Sequence, residues 1–476
     1  MRWIVGVSRV LVGVLALAFT GGCVSTKAPV VVSLQPVSPE QVAQFRMSID
    51  TSASVYNRLR LKQLVIGYYR QHQSKPIWFD SVGHISLGDS MVAIIRNIRY
   101  YGLLPQNYHL GEIESLMESN DRPAVERAEA LITDAFFSLA IDLHNGFGMR
   151  SSILFDSSAV QLLTNIRQKC DLAPALESRE PAYSQYKALK FALRTMLDSA
   201  EFPVREKLLQ GEIVGASLIF KTVQSLEINL ERWRRENDFI EEDRYVYINV
   251  PSFTLHVVEG GRNIFESKVI VGARVTPTPD ISSKVECLVT YPYWNVPRKI
   301  SVEEYLPILQ RGDTSFITRN NFDVLDRKGK VLHPDSVDWN KFNKNYFPVS
   351  LRQREGKGNS LGVIKFVFDN PYAVFLHDTN AKGLFNNKVR TYSHGCIRME
   401  KAVELGHYML TGSVTKRSPT LDKYLRQEQR YFLNVTRPVP IFVRYFTCEV
   451  RDNRFYQYDD CYNMDRKVAE CLYGPR

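Results

Sequence analysis

The sequence predicts an α+β protein: a mostly helical N-terminal scaffold domain, then a β-rich mixed domain interrupted by an inserted capping lid. Three observations predict it. Apolar residues between about 46 and 235 recur at the helical period. After residue 243 they fall into short runs bounded by turn residues. Residues 298–350 then separate two groups of such runs with one helical piece, and a stretch that long inside a compact domain is usually functional. At 476 residues the chain has room for two or three domains. Its composition, 44% hydrophobic and 24% charged, is that of a globular chain and not a disordered one.

The expected boundaries are a leader over 1–22, a tether over 23–45, the helical domain over 46–240, the β-rich domain over 241–450, and a C-terminal hairpin and tail over 451–476. The leader has Arg2 and Arg9 around a short apolar run and ends in Thr20-Gly21-Gly22-Cys23. The run is too short to span a bilayer comfortably and reads as an export signal. Small residues ending in a cysteine resemble a bacterial lipoprotein signal, which would make Cys23 the lipidated first residue of the mature protein. Conventional cleavage to a soluble secreted protein is the alternative, since Thr20 stands where such signals usually have leucine. Val24 is not the aspartate of inner-membrane retention, so an anchored form is expected at the outer membrane. Pro29, Pro36 and Pro39 break the next stretch into a spacer.

Helices are expected over about 55–72, from near Asp89, from Pro123 (a favourable first-turn residue), over 184–198 and over 216–235. Val125, Ala128, Leu131, Ile132, Phe136, Leu139 and Leu143 mark the strongest stripe. Such stripes are first of all core packing. Strands are expected over 245–250, 253–258, 264–271, 285–290, 363–368, 372–376, 441–450 and 454–458. Gly260-Gly261 supplies the positive φ angles of a tight hairpin between the second and third. A helical piece is expected at 301–310 inside the lid.

The net charge of +10 is spread along the chain. There is no concentrated Lys/Arg stripe and no glycine-aromatic RNA-binding signature, so nucleic acid is not an expected partner. Seven cysteines are present. In an oxidising envelope Cys170, Cys287, Cys448, Cys461 and Cys471 could pair, with Cys461–Cys471 the most plausible bridge and free thiols the alternative.

The chemistry concentrates at His377-Asp378 and Ser393-His394-Gly395-Cys396-Ile397-Arg398. A cysteine behind a glycine, with histidines upstream, suits acyl transfer: the imidazole takes the thiol proton and the sulfur attacks a carbonyl. Cys396 is the expected nucleophile and His377 the general base, its ring oriented by a backbone carbonyl near Asp378. His394 is expected to line the thiol pocket. The N–H groups of Gly395 and Cys396 are expected to hold the oxyanion, with the missing Cβ of Gly395 letting the backbone approach. Arg398 suits a substrate carboxylate. An inert buried cysteine is the bland reading, and two histidines with a preceding glycine weigh against it. A zinc site from His377, Asp378, His394 and Cys396 lacks the ligand spacing of known centres, so neither metal nor cofactor is expected.

The whole stretch resembles the L,D-transpeptidase catalytic domain of YkuD type. Asn249-Val250-Pro251, Val269-Ile270-Val271-Gly272, Trp294-Asn295-Val296-Pro297, Asn359-Ser360-Leu361-Gly362 and Arg398 are similar to its long, multi-domain YcbB-like branch. Pro76-Ile77-Trp78 and Tyr101-Gly102-Leu103-Leu104-Pro105 resemble that branch's scaffold domain. A small peptidoglycan-binding domain, often present in the branch, has no counterpart over 146–240. The resemblance implies that Cys396 forms a thioester with the third residue of a tetrapeptide stem, releasing D-Ala, and that an amine of a neighbouring stem resolves it into a 3-3 cross-link. It implies roles for His377, His394 and Gly395 at the motif positions. Trp294, Phe375 and Ser393 are implied near the substrate, and acylation of Cys396 by carbapenems is implied too. The implied partner is the peptidoglycan stem peptide, with the membrane reached through lipidated Cys23, in the periplasm of a Gram-negative cell. Water as acceptor (an L,D-carboxypeptidase), a lipoprotein lysine or a free D-amino acid stay open, as does a noncatalytic wall-binding lipoprotein.

Overall fold

The computed structural model describes residues 57–474 apart from 80–85, 120–121, 149–156, 170, 213–217, 237–238 and 240–241. The leader, the tether, Cys23 and Cys170 lie outside the described residues. The chain divides into two compact units, Met1–Asn237 with Thr447–Arg476, and Asp238–Phe446. No helix among the described residues is long and apolar enough to cross a membrane.

The first unit is mostly helical, with a β-hairpin over 448–457. Its longest described helix, Arg122–Asn145, buries Ala128, Leu131, Ile132, Phe136, Leu139 and Leu143 completely. Tyr68 and Tyr69 of the helix Lys62–Gln71 and Met91 and Ile95 of the helix Ser86–Arg96 join the same core. The expected later helices form as Ser184–Ser199 and Leu218–Arg234. Among the described residues the helix expected over about 55–72 begins at Lys62, after a turn over 57–61. Asp134 accounts for this: its carboxylate accepts the N–H groups of Arg60 and Leu61, at 3.1 and 2.7 Å, and fixes the turn ahead of the helix. Residues 447–474 do not stand apart as a tail. Thr447 donates its N–H to Asn229 Oδ1 at 2.9 Å, Arg232 pairs with Asp465 at 2.7 Å, and Leu472 of the helix Asp465–Tyr473 enters the helical core.

The strands are β1 (Arg244–Asn249), β2 (Thr254–Glu259), β3 (Arg262–Gly272), β4 (Ile281–Thr290), β5 (Trp294–Asn295), β6 (Phe322–Leu325), β7 (Val331–Leu332), β8 (Ser350–Gln353), β9 (Ile364–Val367), β10 (Leu376–His377), β11 (Thr391–Ser393), β12 (Ile397–Met399), β13 (Tyr431–Arg444), β14 (Cys448–Arg451) and β15 (Arg454–Gln457). In the second unit nine of them form one mixed sheet in the order β11-β3-β12-β10-β9-β4-β13-β1-β2. An additional β3–β2 pairing curls this sheet into a barrel-like form. Leu288, Phe366, Leu376 and Ile397 are partners along one row and are buried on its inner face.

The insert is a folded subdomain, wider than 298–350. A second sheet, β5-β8-β6-β7, reaches back to Trp294 and forward to Gln353. It packs on the helical run Arg298–Gln310 around Ile300, Leu306, Leu309, Phe322, Trp339 and Leu351. The described cysteines, Cys287, Cys396, Cys448, Cys461 and Cys471, form no disulfide with one another. The Cys461–Cys471 bridge suggested by spacing is therefore not formed; Cys471 Sγ instead lies 3.4 Å from the Arg235 guanidinium.

Candidate active site

Strand register brings the candidate residues together. β10 runs parallel to β12, with Leu376 opposite Ile397 and His377 opposite Arg398. On its other side β10 is antiparallel to β9, with His377 opposite Lys365. Partners in register share a face, so Arg398, His377 and Lys365 form one row on the outer face. One residue earlier Ile397 donates its N–H to Phe375 O at 2.9 Å, which sets Cys396 beside Phe375. Cys396 and His377 are thus diagonal neighbours on one face, a spacing that side chains bridge.

The turn carrying Cys396 is held from three sides. Ser393 Oγ donates to Cys396 O at 2.5 Å and accepts the Gly395 N–H at 3.1 Å. Thr276 Oγ1 donates to Ser393 O at 3.2 Å, and Thr278 Oγ1 donates to Gly395 O at 2.9 Å. Gly395 has φ +113°, and a Cβ there would meet nothing closer than 3.9 Å. The constraint at Gly395 is therefore backbone conformation and not space. This geometry alters two expectations. The Gly395 N–H is spent on Ser393, so of the two N–H groups expected to hold an oxyanion only that of Cys396 stays a candidate. Ser393 is buried and bonded in both directions, so it shapes the turn instead of meeting substrate.

His377 is buried, and its Nδ1 lies 2.5 Å from the backbone oxygen of Asp378. A carbonyl only accepts, so Nδ1 carries the proton and Nε2 is left as the basic nitrogen. Asp378 is itself fixed. Its Oδ2 accepts the Val363 N–H at 2.9 Å, its Oδ1 pairs with Lys382, and its N–H donates to Ile364 O at 2.9 Å. Gly362, at φ +63°, lets the preceding turn pass against the Asp378 carboxylate, where any Cβ would collide.

Both reacting groups are uncharged at rest. Burial lowers the His377 pKa to about 3, against the lift from the Asp378 carbonyl, with Arg398 and Lys365 adding to the fall. Burial raises the Cys396 thiol above its ordinary value, outweighing a Phe375 backbone hydrogen bond and the charges of Lys365 and Arg398.

The other predicted residues divide. Phe375 lies at the site, its ring under the Lys365 ammonium at 3.3 Å from the centroid. Arg398 has the Cys396 thiol and the Tyr305 hydroxyl as its electrostatic neighbours, and burial lowers its pKa against both. His394 turns outward, half exposed, and its Nε2 lies 2.5 Å from Glu304 Oε1 in the insert. Trp294 packs in the insert's core, 6.2 Å from the Phe322 ring, and is a structural residue there. Sequence reasoning missed Lys365, Thr276, Thr278, Glu304 and Tyr305. The one polar residue in Ile364-Lys365-Phe366-Val367 and the Thr276-Pro277-Thr278-Pro279 turn were the available signals. Among the described residues, no three His, Cys, Asp or Glu side chains converge as a metal site would.

Residues 243–418 match the family described as L,D-transpeptidase catalytic domain (YkuD), and residues 63–193 match the Scaffold domain family. Over 247 residues the chain is 34% identical to the "Putative L,D-transpeptidase" of Haemophilus influenzae, covering 52% of this chain and 49% of that protein. The chain thus spans about half the length of the curated relative it matches. Among solved structures, an L,D-transpeptidase from Mycobacterium smegmatis aligns with 42% of this chain and 58% of its own, at 14% identity and a TM-score of 0.20. An Ldtfm–avibactam carbamoyl enzyme aligns with 43% and 49%, at 12% identity and a TM-score of 0.18.

Proposed function

Residues 243–418 match the L,D-transpeptidase catalytic domain family, and on that premise we propose that this chain joins peptidoglycan stem peptides through a thioester on Cys396. His377 Nε2 accepts the thiol proton as Sγ attacks the carbonyl of the third residue, meso-diaminopimelate, of a tetrapeptide stem. The Cys396 N–H stabilises the oxyanion. The C–N bond to D-Ala breaks, and the imidazolium returns its proton to the departing nitrogen. The amine of a neighbouring stem then attacks the thioester. Its proton passes to His377, the C–S bond breaks, and the thiolate is reprotonated. The product is a 3-3 cross-link.

The observation that carries this reading is the His377 tautomer: Nδ1 is committed to the Asp378 carbonyl, on the sheet face that Cys396 shares. Uncharged partners fit it, because a neutral imidazole can act as base only while it lacks a proton. The insert supports transfer over hydrolysis, since Glu304 and Tyr305 come against the active-site turn and Arg398, and shielding a thioester from water favours the amine. The reaction requires the protein where the sacculus lies, so the leader and a lipidated Cys23 belong to the proposal as periplasmic, outer-membrane anchoring. Release of a Cys23→Ala variant from the membrane fraction tests the anchor.

Muropeptide analysis of purified sacculi rich in tetrapeptides tests the reaction. Wild type should yield tetra-tri dimers and Cys396→Ala none. Tripeptides without dimers would reassign the protein as an L,D-carboxypeptidase. No products, and no acyl adduct with a carbapenem by intact mass, would make it a wall-binding lipoprotein.

A further inference from the structure

Among the described residues, no carboxylate pairs with either of the two cations beside the thiol. Lys365 and Arg398 are the cross-strand neighbours of His377, one on each side. Apart from His377 itself, the titratable groups they feel are Cys396, Tyr305 and Arg430, none of them a carboxylate. Some basic side chains of this unit find acids, as Arg352 and Arg354 share Asp323 and Lys382 takes Asp378, and others, such as Arg298 and Arg390, are held by backbone carbonyls. A half-buried ammonium resting on an aromatic ring gains little there and much from an anion brought by a ligand.

The two cations are not equivalent. Arg398 lies on the side covered by Tyr305 of the insert. From Lys365 the same row continues across the sheet to Val289 on β4 and Phe432 on β13. Phe432 is 54% exposed, and the Arg430 guanidinium sits 4.8 Å from its ring centroid. Lys365 therefore stands on the side of the thiol away from Tyr305 of the insert, with Val289 buried beside it and Phe432 exposed beyond.

Chemistry says what meets a cation there. In the reaction proposed above, on which this inference rests, the nitrogen that leaves belongs to D-Ala. The nitrogen that attacks belongs to the D-centre of the acceptor's diaminopimelate. Each is bonded to a D-configured carbon bearing a carboxylate, and each occupies the same place relative to the scissile carbon. We propose that Lys365 is the specificity residue that binds this carboxylate, in the leaving D-Ala during acylation and in the acceptor during thioester aminolysis. The step adds no redox or covalent event: the C–N and C–S exchanges and the proton shuttle through His377 are as written above.

The test compares two soluble donors, a tetrapeptide ending in D-Ala and the same peptide ending in D-alaninamide, with wild type, Lys365→Met and Lys365→Arg. Wild type should favour the acid by about 10- to 100-fold in kcat/KM, the scale of one charge-assisted hydrogen bond. Lys365→Met should bring the ratio near one, and Lys365→Arg should restore most of it. The same pattern should appear when free D-Ala and D-alaninamide compete as acceptors. Equal losses on both donors in Lys365→Met would show a merely structural role and overturn the assignment. So would wild-type discrimination surviving in that variant, or wild type failing to distinguish the donors. Wild type inactive on both would sink the functional reading itself, and the assignment with it.

Discussion

A thiol and an imidazole that are both uncharged form the nucleophile only when a substrate is in place. Free Cys396 should therefore be alkylated by iodoacetamide with a pH profile that rises beyond the ordinary thiol range, because burial outweighs the nearby cations. A plateau at neutral pH would instead reveal a preformed thiolate–imidazolium pair. Gly395→Ala should destabilise the fold by about 1 kcal/mol or more and slow acylation, because φ +113° is costly for any side chain. Differential scanning calorimetry and acylation kinetics check both. Cys396, His377 and Gly395 were legible in the sequence because their motif is local. Lys365 and Glu304 were not, since strand register and the fold of the insert bring them to the site from elsewhere in the chain.

Elements are placed by side chains that compete for backbone groups. The strand expected over 372–376 pairs only at Leu376–His377, because Asn370 accepts the N–H groups of Tyr372 and Val374 at 3.2 and 3.0 Å and holds that segment as a turn. The helix Ala402–Thr411 has no clean apolar stripe, because Gly406 interrupts it; the glycine is there so that Ile364 and Leu421 can pack against the helix. The strands β1 to β4, by contrast, were visible as alternating runs with a Gly-Gly turn, and both glycines of that turn have positive φ. In the insert the helical run widens to a π turn at Ser301–Tyr305, the segment that supplies Glu304 and Tyr305 to the site. Glu304→Ala should cut the tie to His394 and raise hydrolysis of the acyl-enzyme relative to aminolysis. Product ratios at fixed acceptor concentration measure this, and an unchanged ratio would separate the insert from water exclusion.

Across the whole molecule the two units carry buried groups of opposite pH dependence. His377 has its folded pKa depressed to about 3, so between there and its ordinary 6.5 the unfolded chain binds more protons. The second unit should lose stability as pH falls through that window, by up to ~1.4 kcal/mol per pH unit. In the helical unit Glu129 is fully buried and its pKa is raised to about 7, although it accepts from Tyr69 and the Ile77 and Trp78 N–H groups. Here the folded state binds more protons, and stability should fall as pH rises from 4.5 through 7. Thermal melts at stepped pH should show His377→Gln flattening the first slope and Glu129→Gln the second. The proposed reaction depends on the neutral His377 ring, and nitrogen-15 NMR of the histidine-labelled full chain, with His377→Gln for assignment, tests it most directly. The expected result is a bare Nε2 and a protonated Nδ1 from pH 5 to 8. An imidazolium at pH 7, or the proton on Nε2, would contradict it.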